Sequence, residues 1–313
     1  MRFPENISYQ HLMSRTINGE ALFGNREKEV LRKMIWQVAD FSGIRIITYA
    51  VMKNHFHLLV EIPPQETAVS DEELVRRFRV LYPRPMPWQP MTAEVLEQHL
   101  KSGSIEGDQL RKSLTRRMHD GSIMMKTLKQ RFTRWFNHTR DRFGPLWCER
   151  FKSVLVEGDR WALRTVAAYI DLNPVRAGIV DDPKDYRFSG YGEAVAGGKS
   201  ARAGLSIVDR DLAGYRQTLY GYGSEPAEGK ASFSRETALK VLRTERGEIS
   251  LAAALRCRIR YFTDGKILGS SEFVDQHLQP QETEGKRSHP HPMSGSLWMG
   301  LAVARGIRKD LFS

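Results

Sequence analysis

The chain is poor in cysteine, in long apolar runs and in acidic residues. Cys148 and Cys257 are the only cysteines among 313 residues, far apart and without metal-ligand spacing. That excludes a disulfide framework and a thiolate zinc site, and it fits a reducing compartment. No apolar run is long enough to span a bilayer, so no membrane partner is expected. The opening stretch, Met1 to Tyr9, is polar and includes Pro4, unlike a signal peptide. The expected location is the cytoplasm, with association to the nucleoid when DNA is bound. Asp and Glu number 37 against 48 Lys and Arg, a net charge of +11 with a pI near 9.7. The imbalance is local: from Arg111 to Lys152 there are 12 basic and 3 acidic residues. Such a concentration favours a polyanionic partner over an ordinary solvated surface, and nucleic acid is the natural candidate.

What the chain does have is a pair of histidines in a strand pattern. In the run from Ile46 to Ile62, His55 and His57 stand two apart, with Phe56, Leu58, Val60 and Ile62 alternating between and beyond them. Residues two apart on a strand share a face. The apolar set therefore points into a core while both imidazoles project together, where they can bind one divalent cation. With 9 His in the chain, roughly 0.26 such pairs arise by chance, so the remaining residues must decide. His289-Pro290-His291 has the same spacing, but its prolines and lack of strand pattern argue against a preformed site.

The surrounding elements give a consistent order. Tyr9 to Ile17 reads as a strand. Asn25 caps a helix from about Arg26 to Phe41, with Val30, Leu31, Met34, Ile35 and Val38 at helical spacing. Ile44 to Met52 and His55 to Ile62 read as strands with a tight turn at Asn54. A helical stretch from about Asp71 to Thr139 is broken at Pro83–Pro87. Its last helix carries Met124, Leu128, Phe132, Trp135 and Phe136 as an apolar face, read as core in preference to a base-stacking surface. Leu146 to Glu157 reads as a fourth strand and Asp159 to Leu172 as a helix ending before Pro174. Strand, helix, strand, strand, helices, strand, helix is an α+β order: the split β-α-β pattern of a ferredoxin-like antiparallel sheet with packed helices, enlarged by a helical insertion at about 64–120. Beyond, Gly190 to Gly204 reads as a linker or surface loop. Helical patterns follow at Asp209 to Leu219, Arg235 to Thr244 and across Ile249 to Leu278, and 279–293 reads as flexible. Residues 190–313 thus form a mainly helical C-terminal extension.

The segment Ala168 to Val180 is the most distinctive later stretch. Tyr169 and Asn173 are four apart and share a helix face if the last turn persists. A tyrosine hydroxyl can be a nucleophile in phosphoryl transfer, and an asparagine carbonyl can complete a site for a hard or borderline cation. A helix tyrosine packed against the sheet is the plainer alternative. Asp171 points away from Tyr169 and is the weaker ligand candidate.

Met52-Lys53-Asn54-His55-Phe56-His57-Leu58-Leu59-Val60 resembles the HUH motif of single-tyrosine transposases, where U is a bulky apolar residue. Gly144 to Ser153 and Tyr169 to Gly178 resemble segments of the REP-associated tyrosine transposases within that group. The resemblance covers about Tyr9 to Ser189. It implies a catalytic domain at 1–189 of the HUH endonuclease type, acting on single-stranded DNA beside hairpins, including REP-like palindromes. It also implies Mg²⁺ or Mn²⁺ held by His55, His57 and Asn173, Tyr169 as the nucleophile, and DNA transposition through a 5′-phosphotyrosine intermediate. The basic stretch offers Arg131, Arg134, Arg150 and Lys152 as DNA-binding residues. Two departures stand out: a long insertion after the third strand, and no Gly-Thr-Trp motif near the N-terminus. The extension is open to an accessory DNA-binding role, and the molecule to a monomer or a homodimer. The rival reading from another class is a non-catalytic protein that binds hairpin DNA or structured RNA, which would be indifferent to metal.

Overall fold

The computed structural model describes residues 6–64, 68–223, 265–277, 291–292 and 301–305. Strand β1 is Ser8–Arg15, followed by helix α1 at Asn25–Ser42. Strands β2, Arg45–Val51, and β3, His55–Ile62, form a hairpin. Its turn at Lys53 and Asn54 is closed by the Met52 N–H donating to the His55 carbonyl at 2.8 Å. The insertion supplies α2 (Asp71–Leu81), α3 (Ala93–Lys101) and α4 (Ile105–Thr115), and leads into α5 (Gly121–Thr139). Each starts where a short oxygen-bearing side chain, Ser70, Thr92, Ser104 or Asp120, accepts a free N–H of the first turn. Then come β4 (Lys152–Val156), α6 (Arg160–Asp171) and the short α7 (Asn173–Arg176). The order β2-β3-β1-β4 is antiparallel throughout, as a ferredoxin-like domain requires.

The sheet buries both faces. On one, Leu12, Phe56, Leu58, Val60 and Ile62 meet α1, α5 and the insertion in a single apolar cluster that includes Leu74, Phe78, Leu96 and Leu114. Met124, Leu128, Phe132 and Phe136 are buried in it, so the apolar face of α5 is core. On the other, Met13, Ala50, Leu59, Val154 and Val156 lie under α6.

Four expectations change. Helix α1 begins at Asn25 itself with Gly24 at the cap; glycine has no side chain to cap the first turn, and the Glu27 carboxylate accepts the Gly24 N–H at 3.0 Å. The fourth strand is shorter than Leu146 to Glu157. Leu146 and Trp147 both pack into the cluster under α1 and α5, whereas consecutive residues of a regular strand point to opposite faces. Only Trp147 keeps a bridge, to Thr16.

Gly190 to Gly204 is not a loop. It forms α8 (Gly190–Val195) and α9 (Lys199–Leu205), which pack on β2, followed by α10 (Leu212–Gly223) against α6. Tyr191, Ala194, Ala201, Leu205, Tyr215 and Leu219 share one core with α6. Within the stretch read as helical from Ile249 to Leu278, Gly265–Ser270 is strand β5, running parallel to β4 before helix α11 at Ser271–His277. Its apolar signal is only Ile267 and Leu268, too short to distinguish strand from helix. Strands β6 (His291–Pro292) and β7 (Leu301–Arg305) join the sheet, which among the described residues has seven strands in the order β2-β3-β1-β4-β5-β7-β6. The helical pattern at Arg235 to Thr244 and most of 279–293, His289 included, lie outside the described residues.

Candidate active site

His55 and His57 lie on the β3 face that α6 covers. In the β1–β3 register His55 is opposite Arg15 and His57 opposite Met13. Their rings sit 5.1 Å apart, nearly perpendicular. His57 is buried at 4% exposure, and His55 is partly open. Each ring is held through Nδ1: His55 Nδ1 lies 2.7 Å from Asn54 Oδ1, and His57 Nδ1 lies 3.0 Å from His11 Nε2. Burial, with the Arg15 charge adding to it, lowers the His55 pKa to about 4. Burial drives His57 well below its ordinary value, with His55 and His11 adding to the effect. Both imidazoles are therefore neutral at pH 7, the form that can donate a lone pair to a cation.

Helix α6 brings Tyr169 edge-on to His57. It starts at Asp159, whose carboxylate accepts the Trp161 and Ala162 N–H groups. It stops at Leu172, because Pro174 supplies no N–H for the ladder. The Tyr169 ring lies 5.8 Å from the His57 ring and 6.0 Å from the His11 ring. The Arg176 guanidinium stands 5.1 Å from its centroid. Tyr169 is nearly enclosed, at 4% exposure. Asn173 sits one turn on, its Nδ2 donating to the Tyr169 carbonyl at 2.9 Å and to that of Ile170 at 3.3 Å. The nitrogen end of the amide is thereby committed to the helix, leaving Oδ1 as its donor atom toward a cation.

Asp171 does point the other way. It is fully buried, and its carboxylate accepts from Thr48 Oγ1, the Tyr191 N–H and the Tyr215 hydroxyl. Burial raises its pKa to about 7, opposed by those hydrogen bonds. It ties α6 to β2, α8 and α10.

Among the described residues no group of three or more His, Cys, Asp or Glu side chains could hold a metal ion. A third ligand would have to come from another residue type, and Asn173 is of that kind. Two neutral imidazoles tethered through Nδ1, together with an amide oxygen, are a donor set that suits a borderline divalent cation.

The basic candidates separate. Arg134, Arg150 and Lys152 are exposed. Arg134 lies over Trp88, 5.2 Å from its ring centroid. Lys152 is paired with Met13, the residue opposite His57, and so belongs to the same cross-strand row. Arg131 is withdrawn over the Tyr82 ring at 5.4 Å, and burial lowers its pKa.

His11 and Arg176, and the contact of the turn residue Asn54 with His55, escaped the sequence reading. His11 shares a face of β1 with Met13, and its cross-strand partner Leu59 neighbours His57 on β3. That diagonal is visible only once the β1–β3 register is known.

Residues 5–80 match the family described as "Transposase IS200 like". A solved structure of a REP-associated tyrosine transposase bound to a REP hairpin is similar over 63% of this chain and 85% of its own, with 17% identity and a TM-score of 0.39. No curated protein matches the chain. No helix among the described residues is long and apolar enough to cross a membrane. Over residues 5–80 the chain is similar to the IS200-like transposases.

Proposed function

We infer that the protein nicks and rejoins single-stranded DNA at hairpins, with Tyr169 as the nucleophile and His55, His57 and Asn173 as ligands of Mg²⁺ or Mn²⁺. The observation that carries this reading is the edge-on contact of Tyr169 with His57, which lies beside His55 on β3, both imidazoles neutral, with Asn173 one helical turn away from Tyr169. A divalent cation bound there would polarise the scissile phosphate. The Tyr169 hydroxyl oxygen attacks phosphorus in line, forming the P–O(tyrosine) bond as the bond to the 3′-oxygen breaks. The tyrosine proton is given up, and the departing 3′-oxygen gains one. The products are a 5′-phosphotyrosine and a free 3′-hydroxyl. One phosphoester replaces another, so a second 3′-hydroxyl can reverse the step and join strands without an external energy source.

The chain's own residues supply placement. Arg176, over the Tyr169 ring, puts a fixed positive charge beside the reacting phosphate. Arg134, Arg150 and Lys152 are exposed to hold strand phosphates. Hairpin substrates, REP-like palindromes among them, follow from the resemblance of the three motifs.

The test is a labelled single-stranded hairpin incubated with protein and Mn²⁺. A protein–DNA adduct that survives denaturant is expected, and Tyr169→Phe should reduce it below detection. An adduct of undiminished yield in that variant would sink the assignment.

A further inference from the structure

Asn54 occupies the β2–β3 turn, and both ends of its side-chain amide are engaged. One end donates to the Gly19 carbonyl at 2.6 Å; the other lies 2.7 Å from His55 Nδ1. A carbonyl oxygen only accepts, so the contact with Gly19 identifies the amide nitrogen. The atom facing His55 is therefore the amide oxygen, which also only accepts. His55 Nδ1 must carry the ring proton, and in a neutral imidazole the lone pair then resides on Nε2.

The turn that presents Gly19 is built for this. Asn18 and Gly19 both take left-handed backbone, at φ 55° and 70°. That conformation comes readily to glycine and is tolerated by asparagine. The Asn54 carbonyl accepts from the Thr16 N–H at 2.9 Å and from Thr16 Oγ1 at 3.0 Å. Thr16 Oγ1 also reaches the Glu20 carbonyl at 2.7 Å. The Phe23 N–H donates to the Lys53 carbonyl at 2.8 Å, so the segment 16–23 grips the hairpin turn from both sides. The amide of Asn54 thus has a fixed sense and little freedom to rotate.

We propose that Asn54 is a positioning residue that locks His55 in the Nδ1–H tautomer and thereby fixes Nε2 as its metal-ligating atom. The proposal rests on the reading of His55 as a ligand given above. A ring free to exchange tautomers would spend part of its time with a proton where the cation must bind. Outer partners of this kind typically contribute about 10- to 100-fold to metal affinity.

The test is a long-range ¹⁵N–¹H correlation spectrum of the histidine side chains in the full chain without metal, paired with Mn²⁺ titration. The wild type should show His55 protonated at Nδ1. Asn54→Leu, which removes the acceptor, should move His55 toward the Nε2–H form and weaken Mn²⁺ binding about 10- to 100-fold. Asn54→Asp keeps an acceptor and should keep both the tautomer and most of the affinity, a rescue that a merely structural role would not give. A wild-type His55 protonated at Nε2 overturns the proposal, as does Asn54→Leu with unchanged tautomer and affinity. Should Asn54→Leu fail to fold, the wild-type spectrum and Asn54→Asp decide. Failure of the cleavage reading is separable: an Nδ1–H His55 in a wild type that forms no adduct would leave the lock intact and remove the chemistry.

Discussion

The two faces of the central sheet use the same strands for opposite ends. Under α1 and α5, β3 presents Phe56, Leu58, Val60 and Ile62 to a cluster composed of apolar side chains. Under α6 it presents His55 and His57, beside His11 from β1 and opposite Tyr169. Both faces are covered, so exposure does not separate them. What separates them is how polar atoms are satisfied. On the α6 face polar side chains hold one another: His57 contacts His11, His55 contacts Asn54, and Asp171 accepts from Thr48 and Tyr215. One face stabilises through packing; the other uses that rigidity to hold reactive groups in fixed orientations.

Exchanging the roles of the two faces is the sharpest probe. His57→Ala should remove metal-dependent cleavage and cost at least about 100-fold in Mn²⁺ affinity, while single-stranded DNA binding at low salt stays within about twofold. Phe56→Ala, one residue away, should do the reverse. It should cost about 3–5 kcal/mol in urea unfolding, because the Phe56 ring is fully buried against Trp147. If both variants lost stability alike and kept metal affinity alike, the division of labour would be wrong.

Asp171 sharpens the comparison through pH. Its folded pKa, about 7, stands above the unfolded carboxylate value of about 4. The folded state therefore holds this proton more tightly. The resulting stabilisation is full below about pH 4 and is lost as pH rises through about 7. Asp171→Asn should flatten the stability curve across that window by on the order of a few kcal/mol, measured by urea unfolding at several pH values. A variant with the wild-type slope would assign the pH dependence elsewhere. The smallest effect belongs to the rim. Lys152→Ala should weaken single-stranded DNA binding evenly across sequences and reduce the salt slope by about 1. An unchanged slope would place the phosphate path away from the His57 row.

The strand alternation around His55 and His57 made that face readable in advance, and the i, i+4 spacing of Tyr169 and Asn173 made their pairing readable too. The split β-α-β order was equally plain. His11 and Asn54 were not, because their roles depend on cross-strand register and on a turn closed by residues 16–20. The helices at 190–205 were hidden by their own composition. Small residues read as linker, yet here they permit close approach: a Cβ on Gly204 would collide with the Ile46 and Ile47 carbonyls, and one on Gly190 with Thr48. Arg131 is the converse case. Its charge suggested the surface, while its flat guanidinium and long stem packed over Tyr82.

The parallel pairing of β5 with β4 has a consequence for how this molecule behaves in a crowd. A four-stranded ferredoxin-like sheet ends in two rows of unpaired backbone groups that invite strands from neighbouring molecules. Here β5 occupies the β4 side. On the β2 side, the Val51 N–H donates to the Phe188 carbonyl and Ala50 bridges to Ser189. Residues after Tyr169 thus cover part of both margins of the four-stranded sheet, so segments later in the chain occupy backbone groups that would otherwise be open to foreign strands.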